Sequence, residues 1–413
     1  MADSRAAAQP QEIKTTGLSW VIAILVLLSY AVSFIARNVW STAMPIAAPE
    51  LGLNMAAAGG LMTAYYIGYV ISNFVTGFAV DRYGPKLTLA LATAFTGLFT
   101  ILIPFSPNYW GIFILRVLAG ASSGPLFACV TKYQISWFAP AVRTTALGLM
   151  MSGPAVGGAV ATAAFAPIIR DSGWRLGFTY GGITCFIVAV LVFIICKEQG
   201  PAATRSAANK NASPEEKAAQ KAGLRNVLLK KSFLIGTLTL LLATGANIGY
   251  TTYIIIYFTR VREFSLVTAG MIIGSTSMLG IITGIVSGGI ADILKSKKLC
   301  IAIGAVLSVI CTILIMVASN ITMLIVVIGI RMFVGSLMGN PLNGLQAQAA
   351  AGPFAGRAMG FYNGIGQMGS ILFPIIFGAI LDGTGNNFSF IFIIIAITLG
   401  VCGFLCMFME EKK

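Results

Sequence analysis

The chain has 413 residues, of which 57% are hydrophobic, only 10% are charged and none is His. A water-soluble protein of this length carries about 25% charged residues and cannot hide so much apolar surface in one or two cores, so the composition is that of an integral membrane protein. Without His the commonest metal ligand and general base is missing, which excludes His-based triads and the usual zinc enzymes.

The seven Cys (129, 185, 196, 300, 311, 402 and 406) stand singly in apolar stretches with no CxxC spacing. They read as small hydrophobes rather than as a disulfide or metal framework. No cofactor, no metal site and no enzymatic activity is expected.

Taken in chain order, the uncharged runs 15 to 36, 51 to 80, 144 to 169, 176 to 196, 232 to 259, 264 to 291, 358 to 381 and 383 to 409 predict membrane spans, each needing about 20 apolar residues. Two longer runs, 87 to 137 and 299 to 349, are broken by turn residues at Pro104 to Asn108 and at Ser319-Asn320. The expectation is an all-α membrane protein of twelve helices. Residues 197 to 232 form the only long polar connection, which divides the chain into a tail (1 to 16), a six-helix bundle (17 to 196), a linker (197 to 232), a second six-helix bundle (233 to 409) and a final tail (410 to 413). Within the linker, Ser213-Pro-Glu-Glu216 fits both an N-capped amphipathic helix on the membrane surface and a solvated connection.

Orientation follows from the basic residues. With the N-terminus inside, cytoplasmic segments hold 19 of the 27 Lys and Arg, while the external loops hold Arg170, Arg175, Arg260 and Arg262. Both termini are then cytoplasmic, and a bacterial inner membrane is the expected location. Most of the formal charge of +14 is explained by topology, so the basic balance does not imply nucleic acid.

The halves repeat one another. Arg116-x-x-x-Gly120-x-x-x-Gly124 recurs as Arg331-x-x-x-Gly335-x-x-x-Gly339, Gly77-x-x-x-Asp81 as Gly288-x-x-x-Asp292, and Ala146-Leu-Gly148 as Ala358-Met-Gly360, at lags of 215, 211 and 212. Three matches in order argue for duplication, the architecture of secondary transporters with a site between the halves.

GFAVDRYGPK, residues 77 to 86, resembles the loop signature of the major facilitator superfamily between spans two and three. The resemblance implies that Gly77, Asp81, Arg82, Gly84 and Lys86 form a conformational latch, with Asp292 as its looser second copy. FIARNVWSTAMP (34 to 45) is similar to the organic-anion branches of that superfamily, the anion/cation symporters and the organophosphate/phosphate exchangers. In those branches an Arg eight residues before an Ala-Met-Pro-like turn contacts the anion, and Arg37 stands there. ISWFAPAVRTTALG (135 to 148) is similar to the symporter branch's Trp-Phe-x-Pro segment. The chain departs from the symporters at Ala36, where they usually have Asp, and at Ser123, where many have Glu. Both of those positions are proton-carrier candidates. It also lacks the exchangers' Arg in span seven.

Four cations fall inside spans, Arg37, Arg116, Lys132 and Arg331, with no acid beside them. A cation in mid-bilayer costs about 2.5–3.5 kcal/mol on insertion scales, so each needs a purpose. Arg37 is assigned to anion contact, and Arg331 fits either anion contact or packing. Lys132 fits an anion-attracting mouth as well as snorkelling, and Arg116 a structural or snorkelling role. Tyr65, Tyr66 and Tyr69 in span two, with Asn247, Tyr250 and Tyr253 in span seven, supply hydroxyl and amide groups for the same lumen, and Gln346 is a further candidate.

The expected function is alternating-access transport of a small organic anion such as a sugar acid or dicarboxylate, by exchange or facilitated passage, in a lipid-embedded monomer. A counter-anion or a proton is the expected co-substrate. Proton-coupled symport is the alternative, with multidrug or neutral-solute export behind it.

Overall fold

The computed structural model describes residues 15–73, 76–139, 141–198, 225–294, 296–350 and 355–411. Twelve spans run through it. The first six are α1 (Gly17–Glu50), α2 (Met55–Asn73, resuming as Thr76–Tyr83), α3 (Pro85–Phe105), α4 (Tyr109–Trp137), α5 (Thr145–Ser172) and α6 (Trp174–Ile195). The second six are α7 (Lys231–Arg260), α8 (Leu266–Leu294), α9 (Lys297–Val317), α10 (Ile321–Ala349), α11 (Ala355–Gly383) and α12 (Phe388–Cys406). Counting described residues only, ten of these are long and apolar enough by themselves to cross a bilayer. The predicted linker motif at Ser213 lies outside the described residues.

The turn residues that broke the two long runs act as helix starts. Asn108 accepts from Gly111 N at 2.9 Å to cap α4, and Asn320 accepts from Met323 N at 2.7 Å to cap α10. Pro104 sits in a 3-10 turn that ends α3. Both prolines within α1, Pro45 and Pro49, lie in its last two turns, where each removes one i→i−4 bond near the end of the helix rather than in its middle. In α5 the π-helical turn Val160–Ala164 loosens the ladder, and the Ala161 carbonyl there accepts from Thr42 Oγ1 at 2.9 Å, tying α5 to α1.

Apolar lipid gives no hydrophobic drive between helices, so close packing rests on small residues. A Cβ at Gly153 or Gly157 on α5 would strike the backbone or side chains of α1, and one at Gly68 or Gly120 would strike the facing backbone of α4 or α2. Within each set of six the helices pack around their own neighbours. Between the sets α2 meets α11, α5 meets α8 and α1 meets α7. The seam lies toward the end of the bundle away from the termini, where Thr63 Oγ1 donates to Ile371 O at 2.7 Å. From mid-span toward the other end four helix glycines stand uncovered: a Cβ at Gly148, Gly335, Gly339 or Gly360 would meet nothing within 4 Å. Among the described residues the hydrogen bonds between the halves all lie toward the far end, so the two halves close there and part toward the end that carries the termini.

Candidate functional site

α1 and α2 enclose a buried cation in the first half. Arg37 is 5% exposed at the middle of α1. Its guanidinium carbon lies 4.0 Å from the Phe34 ring centroid, 4.8 Å from Tyr69, 5.1 Å from Tyr66 and 5.2 Å from Tyr65. Phe34 precedes Arg37 by three residues, one helical turn, while α2 presents Tyr65, Tyr66 and Tyr69 from across the groove. Ring faces stabilise a desolvated cation by about 2 kcal/mol but take up none of its hydrogen-bond capacity. Nε and Nη2 of Arg37 are buried with no hydrogen-bond partner, as is the hydroxyl of Ser33 one turn earlier. No Asp or Glu occurs in α1 before Glu50. The result is a sheltered positive charge with two unused donors, the complement of an anionic oxygen.

Arg116 has the opposite surroundings. Fully buried, it donates from Nε to Leu61 O at 3.0 Å, from Nη1 to Ala36 O at 3.2 Å and from Nη2 to Arg37 O at 3.2 Å, with Met62 Sδ at 3.4 Å. Snorkelling is thereby excluded. Its donors are spent on the backbone, and Tyr65 lies between it and Arg37, 5.1 Å from one guanidinium and 5.2 Å from the other.

In the second half Arg331 is 7% exposed and stacks 3.7 Å from the Tyr250 centroid. Its hydrogen bond from Nε to Thr312 Oγ1 is long at 3.5 Å, and the Tyr250 hydroxyl is buried without a partner. Asn247, one turn before Tyr250, is exposed in the middle of α7. An amide at that depth is costly against lipid, which directs it to the cleft between the halves.

Three expected contact residues lie outside these two clusters. Tyr253 is spent on the seam, its hydroxyl lying 2.9 Å from Met55 O and 2.7 Å from Pro374 O. Gln346 is fully buried, and its amide donates to Ser232 O and Phe233 O at the start of α7. Lys132 is exposed on α4, 16 residues past Arg116 and so about 24 Å further along the helix. The cage itself adds Ser33 and Phe34, which sequence reasoning did not include among the contacts. Their signal was the helical spacing of Ser33 and Phe34 to Arg37.

In the latch loop, Gly84 takes φ +79°, a conformation that side chains rarely adopt, and a Cβ there would also strike the Glu198 carboxylate. Lys86 Nζ lies 5.1 Å from the Phe193 ring and Arg82 5.6 Å from Tyr83. The side chains of Asp81 and Asp292, and the surroundings of Gly77, lie outside the described residues.

The model of the Major Facilitator Superfamily matches residues 26–352 and 290–413. The chain belongs to the Major Facilitator Superfamily. Members of the superfamily to which it is similar include the hexuronate transporter of Bacillus subtilis (strain 168), 25% identical with 88% of each chain covered. The probable galactarate/D-glucarate transporter GudP of the same organism is 26% identical, over 90% of this chain and 88% of the relative. The probable sulfoacetate transporter SauU of Cupriavidus necator is 24% identical, over 97% and 95%. Among solved structures, a bacterial homologue of the human lysosomal transporter Spinster, inward-facing and occupied, superimposes with a TM-score of 0.77 at 14% identity, over 95% of this chain and 97% of that one. A D-xylose-proton symporter superimposes at 0.72 with 16% identity, over 95% and 97%. These structures share the twelve-helix fold of two six-helix bundles, and the family is one of transporters, not enzymes.

Proposed function

We propose that the chain carries small organic anions with a carboxylate on a short polar skeleton, of the sugar-acid type, across the membrane by alternating access. The observation that carries the reading is Arg37, a buried cation whose Nε and Nη2 have no partner and which four aromatic rings hold in place. The relatives agree by name in one respect, a small acid as cargo. Arg331 with the Tyr250 hydroxyl, and Asn247 beside it, are the second-half groups proposed to meet the same substrate.

Exchange is the proposed mode. A monoanion entering against an inside-negative potential costs about 2.3 kcal/mol per 100 mV, whereas swapping one anion for another does not. An empty site leaves Arg37 unneutralised, and a desolvated bare charge slows the return step. The positive-inside bias supports cytoplasmic termini and hence a cleft that opens to the cytoplasm.

The test is counterflow of D-glucuronate and D-glucarate in proteoliposomes. Loss of a charge-assisted contact at Arg37→Ala is expected to lower uptake about 10- to 100-fold, with Arg37→Lys in between because it keeps charge but not the fork. Unchanged counterflow in Arg37→Ala removes the assignment. Uptake that follows an imposed pH gradient at fixed substrate protonation replaces exchange with proton symport.

A further inference from the structure

The seam at the far end holds a carboxylate that the anion site does not use. Asp382, at the end of α11, accepts from the backbone N–H groups of both Met55 and Ala56, at 2.8 Å each. These are the first residues of α2, in the other half of the molecule. The first N–H groups of a helix have no partner within it and carry its positive dipole end. Asn54 satisfies the next one, accepting from Ala57 N at 2.8 Å. A residue of the second half thus completes the cap of a first-half helix.

Other bonds close the same seam. The Tyr253 hydroxyl lies between Met55 O and Pro374 O, and Thr63 donates to Ile371 O. Glycines let the backbones touch: a Cβ at Gly59 would strike Pro374 O and the Tyr253 hydroxyl, and one at Gly378 would strike Met55 O. Asp382 alone in this group brings a full charge, and it is also the one exposed to solvent. Helix α2 then continues from this cap to Tyr65, Tyr66 and Tyr69, with the first ring about 15 Å further along.

We infer that Asp382 is a positioning residue that clamps the start of α2 to α11, and that its release is a condition for opening the far end. Water replaces the carboxylate on the Met55 and Ala56 N–H groups when the halves part, so the clamp biases the equilibrium without locking it. The rigid α2 rod makes the same clamp set the height of the tyrosines around Arg37. This inference is independent of which anion is carried.

The experiment places a reporter thiol at Met55→Cys, a site 4% exposed in the closed seam, and measures labelling by a charged maleimide in purified protein without substrate. Loss of two charge-assisted bonds in Asp382→Ala is expected to speed labelling at position 55 about tenfold, with a smaller effect in Asp382→Asn. The native cysteines Cys129 and Cys185 are buried within the first half and report general loosening. Their staying unlabelled while position 55 reacts faster supports the clamp. An unchanged rate at position 55 in Asp382→Ala overturns it, and so does parallel labelling of Cys129 and Cys185.

Discussion

Arg116 and Arg331 open the same Arg-x-x-x-Gly-x-x-x-Gly segment in equivalent helices of the two halves, yet their surroundings share almost nothing. Arg116 spends its guanidinium on the carbonyls of Ala36, Arg37 and Leu61, and Gly120 after it brings the Tyr65 backbone too close for any side chain. Arg331 keeps one long bond to Thr312 and a ring face on Tyr250, while Gly335 and Gly339 after it look onto open space. One copy of the motif is absorbed by packing and the other is uncommitted. The difference lies not in the motif but in what the neighbouring helix presents to it.

The sharpest way to break this comparison is to truncate both. Arg116→Ala removes a buried charge network and leaves a void, at a cost of about 3–5 kcal/mol, so its melting temperature in detergent should fall steeply and little folded protein should survive. Arg331→Ala forfeits a desolvated cation–π contact, about 2 kcal/mol, and should remain folded while its half-saturating substrate concentration in counterflow rises. Equal losses of stability in the two variants would mean that the repeat has kept one structural role in both halves.

The glycines give the second contrast. Gly120→Leu has no space against α2 and should yield aggregated rather than monodisperse protein on gel filtration. Gly335→Leu adds bulk where nothing stands within 4 Å, so its melting should stay within about 0.5 kcal/mol of the parent, as for surface substitutions. Its counterflow rate should nonetheless fall if that face is buried when the near end closes. A Gly335→Leu variant of undiminished turnover would show that the open face stays open throughout the cycle.

Much of this was legible in the sequence, and the limits have physical causes. Charge-free runs of span length and turn residues at Asn108 and Asn320 specify helices because each acts within a few residues. Arg37 was legible because an uncompensated cation in a span demands an explanation. Tyr253 was not, since its place on α7 is compatible with the cleft and with the seam, and only the approach of Met55 and Pro374 from two other helices decides it. Gln346 likewise points at the backbone of α7, a partner more than a hundred residues away. Asp382 could not be read as a cap for α2 because helix caps are ordinarily local, and this one crosses from one half to the other.

The smallest expected effect contrasts how equivalent helices begin. α3 starts with Pro85 after Gly84, and no side chain caps it; proline has no N–H to satisfy, so the need is smaller there. α9 has no such proline; its own Ser296 accepts from Leu299 N at 3.4 Å, and it borrows a second cap. Glu411 from the C-terminal tail accepts from the backbone of Lys297 and Lys298 and from the Ser296 hydroxyl. Burial alone would raise the pKa of this carboxyl, but the bonds from Lys297, Ser296 and Lys298, with the Lys298 charge, outweigh it and hold the pKa below the usual carboxylate value. A depressed pKa stabilises the folded state above the unfolded value, near 4.3, and that contribution is lost as pH falls through the folded value. Solvent screening limits it to about 1 kcal/mol or less. Melting curves of the parent and Glu411→Gln should therefore differ slightly at neutral pH and converge below about pH 4. A gap that persisted in acid would mean that the tail holds α9 through neutral hydrogen bonds and not through charge.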